Sequence, residues 1–206
     1  MKRTRENLYG NVPDKSPVAL LLIDVINGLD FEGGRALLRQ AKPMAKRLAA
    51  LKARALQFGC PAIYVNDNFG RWRSEFHTQV RHCLNDKVPG RILVELLHPT
   101  AQDYFVLKPA HSGFYSTALD LLLKHLQTKT LIITGMATNS CVLFTANDAF
   151  LRGYEICIPR DCVAANSTQL SRQALKQMQT TLKADIRPSS KLPWKTWFRG
   201  RAKRLK

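Results

Sequence analysis

Five short apolar runs, each emptying into polar residues, constrain this chain more tightly than any other feature. Residues 18–23 (VALLLI), 62–65 (AIYV), 103–107 (DYFVL), 131–134 (LIIT) and 154–158 (YEICI) have strand length and little polar alternation. That pattern belongs to strands covered on both faces, as in a parallel sheet between helices. The intervening segments have helical spacing. Leu37, Leu38, Ala41, Ala45, Leu48, Leu51, Ala55 and Phe58 line one face of a helix over 35–58, which Gly59 stops. Segments 91–97, 115–126, 139–151 and 169–182 read as further helices. Strand alternating with helix predicts a three-layer α/β/α sandwich on a mostly parallel, Rossmann-like sheet, with right-handed crossovers.

With 206 residues and 45% hydrophobic composition, the chain can bury one sizeable core. The expected organisation is an arm over 1–15, one globular domain over 16–186 and a basic, aromatic tail over 187–206. The tail holds eight Lys and Arg and no acid, nearly half of the net charge of +17. The remaining body is basic on its own, which suits anionic substrates or surfaces. Trp194, Trp197 and Phe198 lie among the tail cations. Two readings stay open there: contact with nucleic acid or an anionic membrane surface, or aromatics tucked against the body. Five cysteines form an odd set with no close metal-ligand pair, and no secretory signal opens the chain, so reduced thiols and a cytoplasmic location are expected.

Parallel strands present their C-terminal ends on one rim of the sheet, where ligands of open α/β folds bind. The first run delivers Asp24 to that rim, the third delivers Lys108, and the fourth enters the turn TGMATNS and reaches Cys141. Singly, each has an ordinary explanation: a turn aspartate, a lysine snorkelling to water, a buried structural thiol. Converging, they make a carboxylate, an ammonium and a nucleophile. A cysteine opening a helix beside a lysine is expected to favour thiolate. The histidines at 77, 82, 98 and 111 form no close-spaced metal motif.

Three segments, LLIDVINGLDF (21–31), LKPAHSGFYSTALDLLL (107–123) and TGMATNSCVLFTANDAFLRGYEI (134–156), resemble the isochorismatase-like cysteine hydrolases, which include nicotinamidase and N-carbamoylsarcosine amidase. The resemblance spans roughly residues 16 to 185. It implies a sheet of about six strands, assembly as a homodimer or homotetramer, and a catalytic triad of Asp24, Lys108 and Cys141. It also implies an oxyanion hole from the backbone N–H groups of Ala137 and Cys141, with a cis peptide before Ala137. The expected reaction is hydrolysis of a small amide, carbamoyl or urea-like carbon–nitrogen bond through a thioester. Phe31, Phe69, Trp72 and Phe114, in loops beyond strand ends, are the expected walls for a small flat substrate. The metal motif of nicotinamidases is not matched, because NDNFGRWRSEFH supplies Asp67 without a close Asp-x-His spacing. No metal and no cofactor are therefore expected. A rival reading makes the chain a binding or scaffold protein working through its basic tail.

Overall fold

A computed structural model describes residues 15–70 and 75–199. Residues 1–14 of the arm, Trp72 and residues 200–206 lie outside the described residues. Six strands form one parallel sheet: β1 (Val18–Ile23), β2 (Ala62–Asp67), β3 (Tyr104–Lys108), β4 (Thr130–Met136), β5 (Glu155–Cys157) and β6 (Val163–Ala164). Their order is β3-β2-β1-β4-β5, and β6 pairs with β4 beyond the end of β5. The chain winds outward from β1 in both directions, so β1 and β4 flank the switch point of a Rossmann-like fold.

The two faces of β1 feed different cores. Val18, Leu20 and Leu22 pack with α1 (Gly34–Gln57), α2 (Phe76–Asn85) and α3 (Arg91–Leu96). Ala19, Leu21 and Ile23 pack with α4 (Leu119–His125), α5 (Leu143–Leu151) and α6 (Thr168–Thr181). All six β1 residues are fully buried, which is why the run shows no alternation. The outcome is the expected three-layer sandwich.

Two local expectations are corrected. The helix foreseen from Tyr115 begins at Leu119, because residues 112–118 form a loop in which Ser116 has φ 52° and Thr117 Oγ1 bonds the Gly113 carbonyl at 2.5 Å. The helix foreseen from Asn139 starts as a π-turn, Thr138–Val142, before α5. The tail is structured as far as Arg199. Just before it, Asp185 forms an isolated bridge with Cys157, and within it lies a helical turn, α7 (Trp194–Trp197). Trp194 stacks on Phe58 at 5.4 Å and Phe198 packs on the same ring at 5.8 Å, so the tail aromatics tuck against α1.

Candidate active site

The register of the sheet brings the reactive ends together. Ile23 pairs with Val65 on one side and Gly135 on the other, and Asp67 pairs with Lys108. Gly135 has φ +102°, and a Cβ there would meet the Ile23 carbonyl oxygen at 2.1 Å. Only glycine lets β4 pass this close to β1 and turn toward Asp24. The Met136–Ala137 peptide that follows is cis, as the resemblance implied.

Asp24 caps β1 with φ 52°, a left-handed conformation that aspartate adopts more readily than most residues. Its Oδ1 accepts the Asp67 backbone N–H at 2.7 Å, and its Oδ2 lies 2.9 Å from Lys108 Nζ. The Cys141 thiol shares a further hydrogen bond with this carboxylate. Lys108 is fully buried. Its ammonium also meets the Ala110 carbonyl at 3.1 Å, Asp67 Oδ2 at 3.3 Å and Cys141 Sγ at 3.5 Å. Three N–H donors thus face acceptors on four groups. The triad residues read from the sequence are therefore gathered within contact distance of one ammonium.

The surrounding charges pull the thiol in opposite directions. Burial is the main influence raising Asp24 above the ordinary carboxylate range, with Lys108 opposing it. For Lys108 burial pulls downward, but Asp24, Cys141 and Asp67 together outweigh it and raise the ammonium. Cys141 is pushed up to about 12, by burial first and by Asp24 second, with Lys108 pulling the other way. One cation already faces two carboxylates, so a thiolate would be a third anion in a partly desolvated site. Burial and Asp24 thus work against the thiolate that the helix start and Lys108 favour.

Sequence reasoning left several neighbours out. Asn66, fully buried, accepts from the Ile26 N–H at 3.1 Å and donates to the Ile26 carbonyl at 2.8 Å, clamping the loop that follows Asp24. It also donates to Gln79 Oε1 at 3.1 Å, and Gln79 Nε2 donates to the Asp67 carbonyl at 3.0 Å. His111, set aside with the other histidines, places Nδ1 3.8 Å from Cys141 Sγ and 3.5 Å from Ser140 Oγ. Its ring packs on Phe144 at 5.4 Å. The one signal for His111 was its position three residues after Lys108.

Of the expected pocket walls, Phe31 and Phe69 line one cavity of about 260 Å³ with Asn27, Gln79 and His82. Both rings are about half exposed, at 50% and 48%. Phe114 is elsewhere: it is buried at 4%, packs on Tyr154 at 6.0 Å, and carries Arg152 over its ring at 4.7 Å. It belongs to the core beside α4 and α5, not to that cavity. Trp72 is outside the described residues. Among the described residues, no three His, Cys, Asp or Glu side chains are grouped to hold a metal ion.

Residues 18–186 match the Isochorismatase domain family. The chain belongs to the isochorismatase family. Within it, the uncharacterized isochorismatase family protein YaaI of Bacillus subtilis is 41% identical over 172 residues, 84% of this chain and 94% of that protein. The ureidoacrylate amidohydrolase RutB of Acinetobacter baylyi is 26% identical over 188 residues, covering 79% of this chain and 77% of that protein. Among solved structures, N-carbamoylsarcosine amidase from Thermoplasma acidophilum aligns with a TM-score of 0.62 at 25% identity, over 85% of this chain and 98% of that chain. This family membership makes the protein a hydrolase with a small-molecule substrate. No helix of the described residues is long and apolar enough to cross a membrane.

Proposed function

We propose that this hydrolase cleaves a carbon–nitrogen bond of a small amide, carbamoyl or urea-like substrate through a thioester on Cys141. The observation that carries the reading is the contact of Cys141 with both Asp24 and Lys108 at the sheet's C-terminal rim. A neutral thiol on a carboxylate is set up for coupled attack. As Sγ bonds to the carbonyl carbon, its proton passes to Asp24 acting as general base. The oxyanion accepts hydrogen bonds from the backbone N–H groups of Ala137 and Cys141, beside the turn that follows β4. Asp24 then returns the proton to the leaving nitrogen as the carbon–nitrogen bond breaks, leaving the thioester. Water attacks next, giving a proton to Asp24, and the departing sulfur takes that proton back. Lys108 stays cationic throughout, holding Asp24 in place and opposing the charge that builds on sulfur.

Names among the relatives, ureidoacrylate amidohydrolase and N-carbamoylsarcosine amidase, support ureido and carbamoyl groups as the substrate class. Phe31 and Phe69 supply apolar walls on the same rim. A homodimer or homotetramer is part of this reading, supported by Phe144, Phe150 and Leu151, which α5 leaves exposed. The decisive experiment is a panel of small amides, ureas and carbamoyl amino acids assayed for ammonia release, with intact-mass detection of an acyl adduct on Cys141. Ammonia release that survives Cys141→Ala undiminished would sink the proposal.

A further inference from the structure

Helix α1 is unusual in its charge. It carries Arg35, Arg39, Lys42, Lys46, Arg47, Lys52 and Arg54, and no acid. Among the described residues, Lys52 alone of these seven is ion-paired, with Asp103 at 2.6 Å. Arg35, Arg39, Lys42 and Lys46 follow the spacing i, i+4, i+7, i+11, which sets them in one stripe about 16 Å long. Arg47 and Arg54 are two turns apart on a neighbouring line of the helix, about 10 Å along its axis.

The C-terminal segment is anchored beside this second line. Ser189 donates its N–H and its Oγ hydrogen to Asp161, both at 2.8 Å, and Trp194 and Phe198 close on Phe58. Between helix and segment runs an open cleft of about 660 Å³, whose walls include Arg47, Arg54, Lys195, Ser190 and Thr196 and no carboxylate. Lys191 and Arg199 continue the positive charge along the segment, and Arg201, Lys203, Arg204 and Lys206 follow in the sequence. Like charges held together without counterions favour a polyanion, which releases its own condensed ions on binding.

We propose that the cleft between α1 and the C-terminal segment, with the adjoining stripe of α1, docks the phosphate backbone of duplex nucleic acid. The positive charge extends beyond the cleft in both directions, which fits a polymer better than a small phosphorylated ligand. Trp194 and Phe198 are buried at 6% and 7%, so they supply neither wedges for a lipid surface nor platforms for unpaired bases. The side-chain polar groups lining the cleft, among apolar walls that include Leu51, Leu192 and Pro193, are cations and hydroxyls, which hold phosphates and read no sequence. None of them belongs to the Asp24, Lys108 and Cys141 cluster, so this surface stands or falls independently of the proposed hydrolysis.

The test uses the full chain and a short labelled duplex, with binding followed by fluorescence anisotropy across a salt series. Wild type should bind with a logarithmic salt slope of about −0.9 for each phosphate neutralised. The triple variant Arg47→Gln, Arg54→Gln, Lys195→Gln should lose at least about tenfold in affinity at low salt, its slope shallower by about 2 to 3. A charge-matched control, Lys124→Gln, Lys129→Gln, Lys176→Gln, removes cations from the opposite layer and should bind as wild type does. Hydrolysis should be unchanged in both. If the triple variant fails to fold, Arg47→Gln alone should still shift affinity and slope in the same direction. Equal losses in variant and control, or no duplex binding at low salt, overturn the proposal. Capture by phosphatidylserine vesicles in place of duplex, lost in the triple variant, overturns it in favour of a membrane surface.

Discussion

Two lysines reach opposite ends of the β2 and β3 pair, and they differ in what surrounds them. Lys108, at the C-terminal rim, faces Asp24, Asp67, the Ala110 carbonyl and the Cys141 sulfur. Lys52, reaching from α1 to the N-terminal rim, meets Asp103 at 2.6 Å, the Tyr64 hydroxyl at 2.9 Å and the His98 carbonyl at 3.3 Å. Its three donors have three partners and its charge has one counterion, so nothing is left over to react. Yet the larger cavity opens at this quiet end, about 660 Å³ lined by Lys52, Leu56, Cys60 and Asp103. The one thiol there, Cys60, is 4% exposed and bonded to the Val18 carbonyl, and burial drives its ionisation far upward. Cavity size and a sequestered lysine alone would choose this rim. A surplus of anionic acceptors around one ammonium, with a thiol among them, marks the rim of the proposed hydrolysis.

The largest effect that separates the two ends is chemical. Cys141→Ala should lower turnover of any accepted substrate by at least about a thousandfold, since the proposed nucleophile and the residues serving it would act as one unit. Cys60→Ala should leave turnover near wild type. Steady-state ammonia release under identical conditions makes the comparison, and equal losses would erase the distinction between the ends.

The lysines themselves give the next effect. Lys108→Met leaves Asp24 and Asp67 facing each other without a cation, so it should cost about 3–5 kcal/mol of stability as well as turnover. Lys52→Met strands Asp103 in a partly exposed place and should cost about 1–3 kcal/mol, with turnover intact. Urea denaturation of both variants, paired with the rate assay, tests the contrast. A Lys52 variant that loses activity while keeping its fold would show that the two rims are coupled.

A third test addresses the protonation of the thiol. Burial and Asp24 push Cys141 from 9.0 up to about 12, so its thiolate is scarce at neutral pH and grows as pH rises through that range. Alkylation of the free enzyme by iodoacetamide should therefore be slow at pH 7 and accelerate about tenfold per pH unit until about pH 11. Cys141 should still react before the other four cysteines, each 4% exposed or less. Labelling that is fast and flat from pH 6 upward would mean a resting thiolate, with Lys108 winning over burial.

What the sequence made legible follows from its periodicities. Strand runs without alternation announce a covered parallel sheet, and such a sheet must bring Asp24, Lys108 and Cys141 to one rim. What remained hidden depended on side-chain reach and on elements too short to carry a period. Lys108 extends past the end of β2 to Asp24, which makes Asp67 its neighbour, a consequence of the strand order and not of any local motif. β6 is two residues long. His111 lies in a loop, where spacing predicts nothing about direction. Trp194 and Phe198, four apart, share a helical face, but no local signal names distant Phe58 as their partner. The influences raising the thiol stayed hidden because helix position and a nearby lysine are visible in sequence, whereas burial and a second carboxylate are not.

The smallest effect lies in the quiet network. Tyr64 donates its hydroxyl hydrogen to the Leu97 carbonyl at 2.7 Å while accepting from Lys52 at 2.9 Å, and burial together with Asp103 pushes its ionisation well upward. The phenol therefore remains neutral wherever the fold survives and serves as a relay of hydrogen bonds. Tyr64→Phe keeps the ring, which is fully buried and packs on Phe76 at 5.7 Å, and removes only the hydroxyl. Lys52 then keeps Asp103 and the His98 carbonyl, while the Leu97 carbonyl loses one donor. The expected cost is about 1 kcal/mol, the net worth of an ordinary buried hydrogen bond, with kcat and KM unchanged. A destabilisation several times larger would show that Lys52 depends on the phenol to stay in place. In that case the N-terminal rim, like the rim around Lys108, would be a coupled cluster and not a set of separable contacts.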